Sequence, residues 1–301
     1  MTAKFLDGKT LAAKIKKELA QKIDADDGED MPVLAVVSVG EDSASQVYVR
    51  NKRKAAAEVG IGCEVLNFSD SIGENALRSS VHELNDNHHI HGIIVQLPLP
   101  RHLNPDVILQ EISPIKDADG FTVKNAGLLA KNEAAAVVAA TPKGILCLLE
   151  NEGIELAGKH AVIIGRSNIV GRPLAMLLLN HHCTVTIAHS KTKNLQDLTR
   201  QADILIAACG QAKMVKKDWV KSGAVVIDVG MNRDENDKLC GDVDFDDVKD
   251  VAGYITPVPG GVGPMTVAML LENTWEIYLQ QKEKGTSCSC GGHGHCCWHH
   301  H

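Results

Sequence analysis

The chain has 301 residues, 44% of them hydrophobic and only 3% aromatic, with a formal charge of −7. That length suffices for two buried cores, while the mixed charge and the shortage of aromatic platforms argue against a nucleic-acid partner. No apolar run approaches the roughly 20 residues of a bilayer span, so no membrane is expected, and the opening MTAKFLDGKTLAAKIKKELA lacks the apolar stretch of a secretory signal.

Leu11, Ile15, Leu19 and Ile23 recur every four residues, the spacing of an amphipathic helix. Val33–Val39 is a β-branched run ending at Gly40, a buried strand. Ser43–Val59 reads as a helix with a Ser or Asp at its start and Gly60 placed as a left-handed cap. Glu64–Phe68 is a weaker strand, Asn75–Asn87 a helix, and Gly92–Gln96 a strand stopped by Pro98 and Pro100. This β-α-β-α-β order predicts a parallel sheet covered on both faces. After the small-residue stretch 134–140 a second such series begins. Pro142 suits the first turn of a helix through Leu149, Ala161–Ile164 is a strand and Pro173–Leu179 a helix. Thr184–Ala188, Ile204–Ala208 and Ala224–Val229 are further strands, and Met265–Lys282 is a long amphipathic helix. Two α/β domains are therefore expected, 1–140 and 141–264, with the helix over 265–284 packing back on the first. The five body cysteines, Cys63, Cys147, Cys183, Cys209 and Cys240, sit mostly among aliphatic neighbours, as thiols of a reducing compartment do, so a cytoplasmic location is expected.

The strand Ala161–Ile164 runs into Gly165-Arg-Ser-Asn-Ile-Val-Gly171 and then a helix, which is where a dinucleotide-binding turn belongs. The match to GxGxxG is imperfect: Ser167 replaces the second glycine and the last falls one residue late. A plain tight turn stands beside the nucleotide reading. The next strand ends at Ala188 and continues His189-Ser190-Lys191-Thr192-Lys193. No carboxylate is available there for a ribose 2′-hydroxyl. A hydroxyl, two lysines and Arg166 in the turn suit a 2′-phosphate instead, so NADP is expected over NAD; the other reading is a solvated loop with incidental lysines.

Tyr48 and Lys52 are four apart and share a helix face that starts at the carboxyl edge of the first sheet, where ligands gather in open α/β folds. Taken alone they are better read as a tyrosine packed on the sheet and a lysine in solvent. Gln96 ends the apolar strand Ile93-Ile-Val-Gln96 at the same edge, and a polar group is costly to bury there unless it is bonded. In Lys116-Asp-Ala-Asp119-Gly120 the acids are either turn formers or a carboxylate able to accept two N–H bonds from a planar heterocycle.

The strings SQVYVRNKRKAAAEVGI, GIIVQLPLP, PIKDADGF, TPKG, GRSNIVGRP, HSKT and TPVPGGVGPMTVAML, with LDGKTLA at the start, occur in order from about residue 6 to 272. Together they resemble the bifunctional methylenetetrahydrofolate dehydrogenase–methenyltetrahydrofolate cyclohydrolase family. The resemblance implies two α/β domains, the second Rossmann-like, with the active-site cleft between them. It implies oxidation of 5,10-methylenetetrahydrofolate to the 5,10-methenyl form with NADP, then hydrolysis to 10-formyltetrahydrofolate, usually by a homodimer. It makes Lys52 the catalytic lysine, Gln96 its neighbour, Tyr48 the residue packed on the folate and Asp119 the pterin-binding acid. Pro259, Gly260 and Gly261 line the substrate side. Thr141, Gly165, Arg166, Ser167, Ile169, Gly171, His189, Ser190 and Thr266 fall at cofactor positions. Hydride transfer asks mainly for positioning; the hydrolytic step asks for a proton acceptor, and a neutral glutamine orients a lysine amine without holding it as an ammonium. Ala139-Ala140 departs from the family's usual Pro-Cys, which bears on packing beside the cofactor. Two other readings of the chain are a dehydrogenase that has lost the hydrolytic step and a folate- or nucleotide-binding module without catalysis.

Residues 285–301, GTSCSCGGHGHCCWHHH, lie outside the family pattern. Cys288, Cys290, His293, His295, Cys296 and Cys297 are donors that suit zinc or copper, yet their spacing matches no standard finger and the final histidines resemble part of a purification tag. A disordered or artificial tail and a metal-binding tail both stand, and no metal is assigned to the body.

Overall fold

The computed structural model describes residues 2–27 and 30–289. The chain starts with a two-residue strand, β1 (Lys4–Phe5), and the helix α1 (Gly8–Asp24). Then come β2 (Val33–Val39), α2 (Ser43–Val59), β3 (Gly62–Phe68), α3 (Glu74–Asp86) and β4 (Gly92–Val95). The three strands form a parallel sheet in the order β3-β2-β4. Asp42 accepts the Ser45 amide at 2.7 Å and Gly60 sits at φ +85°, so both caps of α2 are those the residue types call for. Two short helices, α4 (Pro105–Gln110) and α5 (Val123–Ala130), carry the chain to α6 (Ala140–Asn151).

The second series is β5 (His160–Ile164), α7 (Gly171–Asn180), β6 (Thr184–Ala188), α8 (Leu195–Thr199), β7 (Ile204–Ala207) and β8 (Val225–Asp228). A small antiparallel hairpin follows, β9 (Asn232–Arg233) with β10 (Leu239–Cys240), then α9 (Phe245–Val248), β11 (Tyr254–Ile255) and the long α10 (Val262–Ser289). The second sheet is parallel throughout, in the order β1-β11-β8-β7-β5-β6. From β5 the chain goes first to one side, β6, and then to the other, β7. The carboxyl end of β5 is thus the point where strand order reverses and a crevice opens.

One division of the chain needs correction. Residues 4 and 5, expected in the first domain, form the outer strand of the second sheet. Lys4 N–H donates to Gly253 at 2.9 Å and Leu6 N–H to Ile255 at 2.9 Å. A two-residue strand has no periodicity to read, and its partner is remote in sequence. Gly8 follows directly, packed so tightly that a Cβ there would lie 1.8 Å from the Gly261 carbonyl oxygen. α10 packs along α1 and also against α6, α2 and β4. A single apolar core therefore runs from Leu34, Val36 and Ile94 of the small sheet, through Ile145, Met265 and Met269, to Ile163 and Ile206 of the large one. α10 continues past 285 to Ser289; the expectations for Cys290, His293, His295, Cys296 and Cys297 lie outside the described residues. No helix among the described residues is long and apolar enough to cross a membrane.

Candidate active site

Three polar groups meet at the carboxyl edge of the small sheet. Lys52, one turn beyond Tyr48 on α2, donates from Nζ to Gln96 Oε1 at 3.0 Å. Gln96 follows the last residue of β4. Its backbone N–H donates to Val37 O of β2 at 2.8 Å and its Nε2 to Leu97 O at 2.7 Å. With the amide nitrogen so bonded, the oxygen is the atom turned to the lysine. Burial of this polar strand end is thereby satisfied, as the sequence pattern required.

The two acids of Lys116-Asp-Ala-Asp119-Gly120 divide between the two readings open in the sequence. Asp117, fully buried, accepts Gly120 N–H at 2.9 Å, Thr122 N–H at 2.8 Å and Asn125 Nδ2 at 2.9 Å. It is the turn former. Lys116 is also buried, and its ammonium donates to Leu84 O at 3.2 Å and Asn87 O at 2.8 Å, which ties the turn to the end of α3. Gly120 has φ +70°, and a Cβ there would lie 2.6 Å from Val137 O, so only glycine closes the turn. Asp119 is left to face the lysine. Burial pushes its carboxyl up to about 6, against the pull of Lys52 and with the Asp117 charge adding to the rise.

An acid at about 6 gives a pH prediction. Asp119 ionises more readily unfolded than folded. Its contribution to stability is therefore full below 3.8 and is lost as pH rises through about 6, at a cost of up to about 3 kcal/mol. Asp119→Asn should therefore raise Tm at pH 8 and leave it nearly unchanged at pH 3.5; the reverse order in a calorimetric scan would refute the burial account.

Tyr48 stands at the rim, 38% exposed. Its hydroxyl donates to Met231 Sδ at 3.4 Å, from α2 across to the loop after β8. Tyr48, Asn51, Met231, Pro259, Gly260 and Gly261 line one cavity of 290 Å³. Lys9 N–H donates to Gly260 O at 2.9 Å, so the start of α1 braces the glycine turn.

The cofactor candidates gather at the reversal point of the large sheet. Gly165 has φ +135°, and a Cβ there would meet Ala208 O at 2.1 Å; one on Gly171 would meet Gly165 O at 2.2 Å. Both positions demand glycine, which explains how a motif one residue longer than GxGxxG still closes. Ser167 Oγ accepts the Val170 and Gly171 amides at 3.1 and 3.4 Å and so shapes the entry to α7. Arg166, Ser167 and Ile169 are exposed in the turn, and Ser190, Lys191 and Lys193 are exposed beyond β6. His189 is half-buried there, its N–H donating to Thr192 Oγ1 at 2.9 Å. None of the ion pairs among the described residues involves Arg166, Lys191 or Lys193. The site fits a dinucleotide with a 2′-phosphate: a glycine-only turn at a helix start, free cations, and no carboxylate ending β6. Thr141 of α6 and Thr266 of α10 are bonded to each other at 2.9 Å.

Several groups escaped the sequence reading. Asp228 ends the apolar strand β8 as Gln96 ends β4, and that shared signal marks it. Asn51 and Met231 line the cavity without any motif. Among the described residues no three His, Cys, Asp or Glu side chains are placed to hold a metal ion.

A dinucleotide-binding lobe facing a lobe with a lysine–glutamine pair and a half-buried acid of raised pKa defines a two-lobed oxidoreductase. Residues 6–119 match the catalytic domain, and residues 139–282 the NAD(P)-binding domain, of tetrahydrofolate dehydrogenase/cyclohydrolase. The bifunctional protein FolD of Streptococcus agalactiae is 52% identical over 278 residues, 92% of this chain and 98% of the relative. The structure of the Campylobacter jejuni bifunctional FolD methylenetetrahydrofolate dehydrogenase/cyclohydrolase superposes with a TM-score of 0.91 at 48% identity, over 93% of this chain and 99% of the other. The Trypanosoma brucei N5,N10-methylenetetrahydrofolate dehydrogenase–cyclohydrolase, solved with NADP and an inhibitor, gives 0.89 at 39% identity over 94% and 99%. The chain belongs to the tetrahydrofolate dehydrogenase/cyclohydrolase family.

Proposed function

We propose that the chain oxidises 5,10-methylenetetrahydrofolate to 5,10-methenyltetrahydrofolate with NADP and then hydrolyses that product to 10-formyltetrahydrofolate. Within the family just given, the observation that carries this reading is the Lys52–Gln96 pair, 3.0 Å apart, with Asp119 held up to about 6 beside it. NADP, when bound, accepts the hydride at the nicotinamide C4. Thr141, Gly165, Arg166, Ser167, Ile169, Gly171, His189, Ser190 and Thr266 are the residues that would hold it, with Arg166 and Ser190 toward the 2′-phosphate. Tyr48 packs on the folate against Pro259, Gly260 and Gly261, and Asp119 accepts N–H bonds from the pterin. The methenyl cation is stabilised by its own two nitrogens, so the first step rests on alignment. In the second, Lys52 takes a proton from the water attacking the bridge carbon and returns one to the departing ring nitrogen. Gln96 holds the amine in place without adding charge.

That last role can be tested by charge alone. Gln96→Glu keeps the length of the side chain but places a carboxylate 3.0 Å from Nζ, which holds Lys52 as an ammonium. Decay of purified methenyl substrate should slow by on the order of 100-fold; decay at the parent rate would remove the neutral-partner role.

The reading as a whole is tested by spectrophotometry with methylenetetrahydrofolate, NADP in one cuvette and NAD in another, followed by decay of the methenyl product. NADP-selective reduction with fast decay is expected. Reduction without catalysed decay would leave a dehydrogenase alone.

In this reading the folate lobe is 6–140 with the helix over 265–284, and the NADP lobe is 141–264 joined by β1. The contacts of α10 with α1, α2 and β4 support the first grouping. A homodimer is part of the proposal. β3 is an open edge of the small sheet, and beside it runs a cavity of 1020 Å³ lined by Val65 and Phe68 with Arg50, Arg53, Glu41 and Asp70. Such edges are usually covered, and a surface carrying both charges can complement itself about a two-fold axis. A monomeric mass in light scattering would refute it. A cytoplasmic location completes the reading, supported by the five unbridged body cysteines.

A further inference from the structure

Met231 reaches from the nucleotide lobe to the folate lobe at the cavity that Tyr48 lines. It is 51% exposed and lines the same cavity as Tyr48, Pro259, Gly260 and Gly261. Its Sδ accepts the Tyr48 hydroxyl at 3.4 Å. The loop that carries it is held on both sides by a pair of buried carboxylates. Gly230 N–H donates to Asp228 Oδ1 at 2.9 Å, and Asn232 Nδ2 donates to Asp242 Oδ1 at 2.8 Å. The two acids are interlocked, since Asp228 also accepts the Asp242 and Val243 amides at 2.8 and 2.9 Å. Asp242 further accepts the successive amides of Cys209, Gly210 and Gln211 at 2.7, 3.0 and 2.8 Å. A Cβ at Gly230 would lie 2.4 Å from Asp242, so this turn has no room to shift. The loops after β7 and β8 and the segment after the β9–β10 hairpin are therefore tied together, and Met231 projects from them toward the other lobe.

We propose that Met231 is a positioning residue for the reaction: by accepting the Tyr48 hydroxyl it fixes the Tyr48 ring in the orientation that receives the folate, and it forms the opposite wall of that pocket. The inference rests on the reading that Tyr48 packs on the substrate. A thioether suits the task. Its sulfur accepts one hydrogen bond, which is kept when substrate is bound, and its unbranched chain adapts to an aromatic neighbour. Because the loop is anchored in the nucleotide lobe, the contact also sets the width of the cleft at its folate side.

The test is a double-mutant cycle with steady-state kinetics, on the full-length protein. Met231→Leu keeps the volume and removes the acceptor; Tyr48→Phe keeps the ring and removes the donor. The KM for methylenetetrahydrofolate should rise about fivefold in Met231→Leu, as losing one modest hydrogen bond implies, with kcat and the KM for NADP within twofold of the parent. In the Tyr48→Phe background the same leucine substitution should change the folate KM by less than twofold, since the bond is already gone. A folate KM unmoved by Met231→Leu, an equal rise in both backgrounds, or a matching rise in the NADP KM would each overturn the proposal. Tyr48→Ala is the control for the reading beneath it: an unchanged folate KM there would remove Tyr48 from the substrate site, whatever Met231 does.

Discussion

Lys52→Met is expected to abolish catalysed hydrolysis of methenyltetrahydrofolate, a loss on the order of 1000-fold, while NADP binding is retained. Methionine keeps the aliphatic stem that lies along α2 and removes only the amine, so the lobe should fold as before. In the proposed mechanism this amine takes and returns the proton, and its bond to Gln96 at 3.0 Å would fix where it does so. Dehydrogenase turnover should fall as well, though less. Hydride transfer asks for alignment and for tolerance of a forming cation, and an uncharged side chain disturbs those less than it disturbs a proton transfer. Two measurements separate the effects: decay of purified methenyl substrate, and titration of NADPH fluorescence. Hydrolysis at the parent rate with intact cofactor binding would take Lys52 out of the reaction. Loss of both would mean that the lobe, not the amine, had been damaged.

How much of this site could be read from the chain depends on how far apart its parts lie. Lys52 and Tyr48 share a helix face by spacing alone, and Gln96 betrays itself as a polar residue ending an apolar strand. Both signals are local, and both elements came out as the periodicity predicts. The same signal at Asp228 passed unread because its satisfaction depends on Asp242 and Val243, beyond an intervening hairpin. Asp117 and Asp119 are two residues apart and alike in sequence. Only the fold separates them, by giving Asp117 three N–H donors and leaving Asp119 half-buried within the field of Lys52. β1 was illegible for a different reason: two residues carry no period, and the strand exists only because β11 offers it an edge. Met231 marks the limit. Its bond to Tyr48 requires both lobes in place, and nothing near either residue foretells the other.

Cofactor choice is the second large effect. Ser190→Asp is expected to raise the KM for NADP about 100-fold and that for NAD little, because a carboxylate would face the 2′-phosphate across a hydrogen-bond distance while suiting a 2′-hydroxyl. The position is exposed in the loop after β6, so the substitution puts no charge in the core and stability should not change. In the proposed site Arg166 would reach the same phosphate from the Gly165 turn, so Arg166→Ala would remove attraction rather than add repulsion. One charge-assisted bond of about 1.5–3 kcal/mol corresponds to roughly 10- to 150-fold in the NADP KM. The two substitutions act on one group from two loops, so their effects should fall short of additive when combined. Lys191 and Lys193 stand in the same loop without carboxylate partners among the described residues, and they should leave some preference for NADP even in the double variant. Initial rates at saturating methylenetetrahydrofolate with each cofactor decide the matter: equal changes for NADP and NAD would mean that Arg166 and Ser190 hold the dinucleotide by its shared half, and that the 2′-phosphate lies elsewhere.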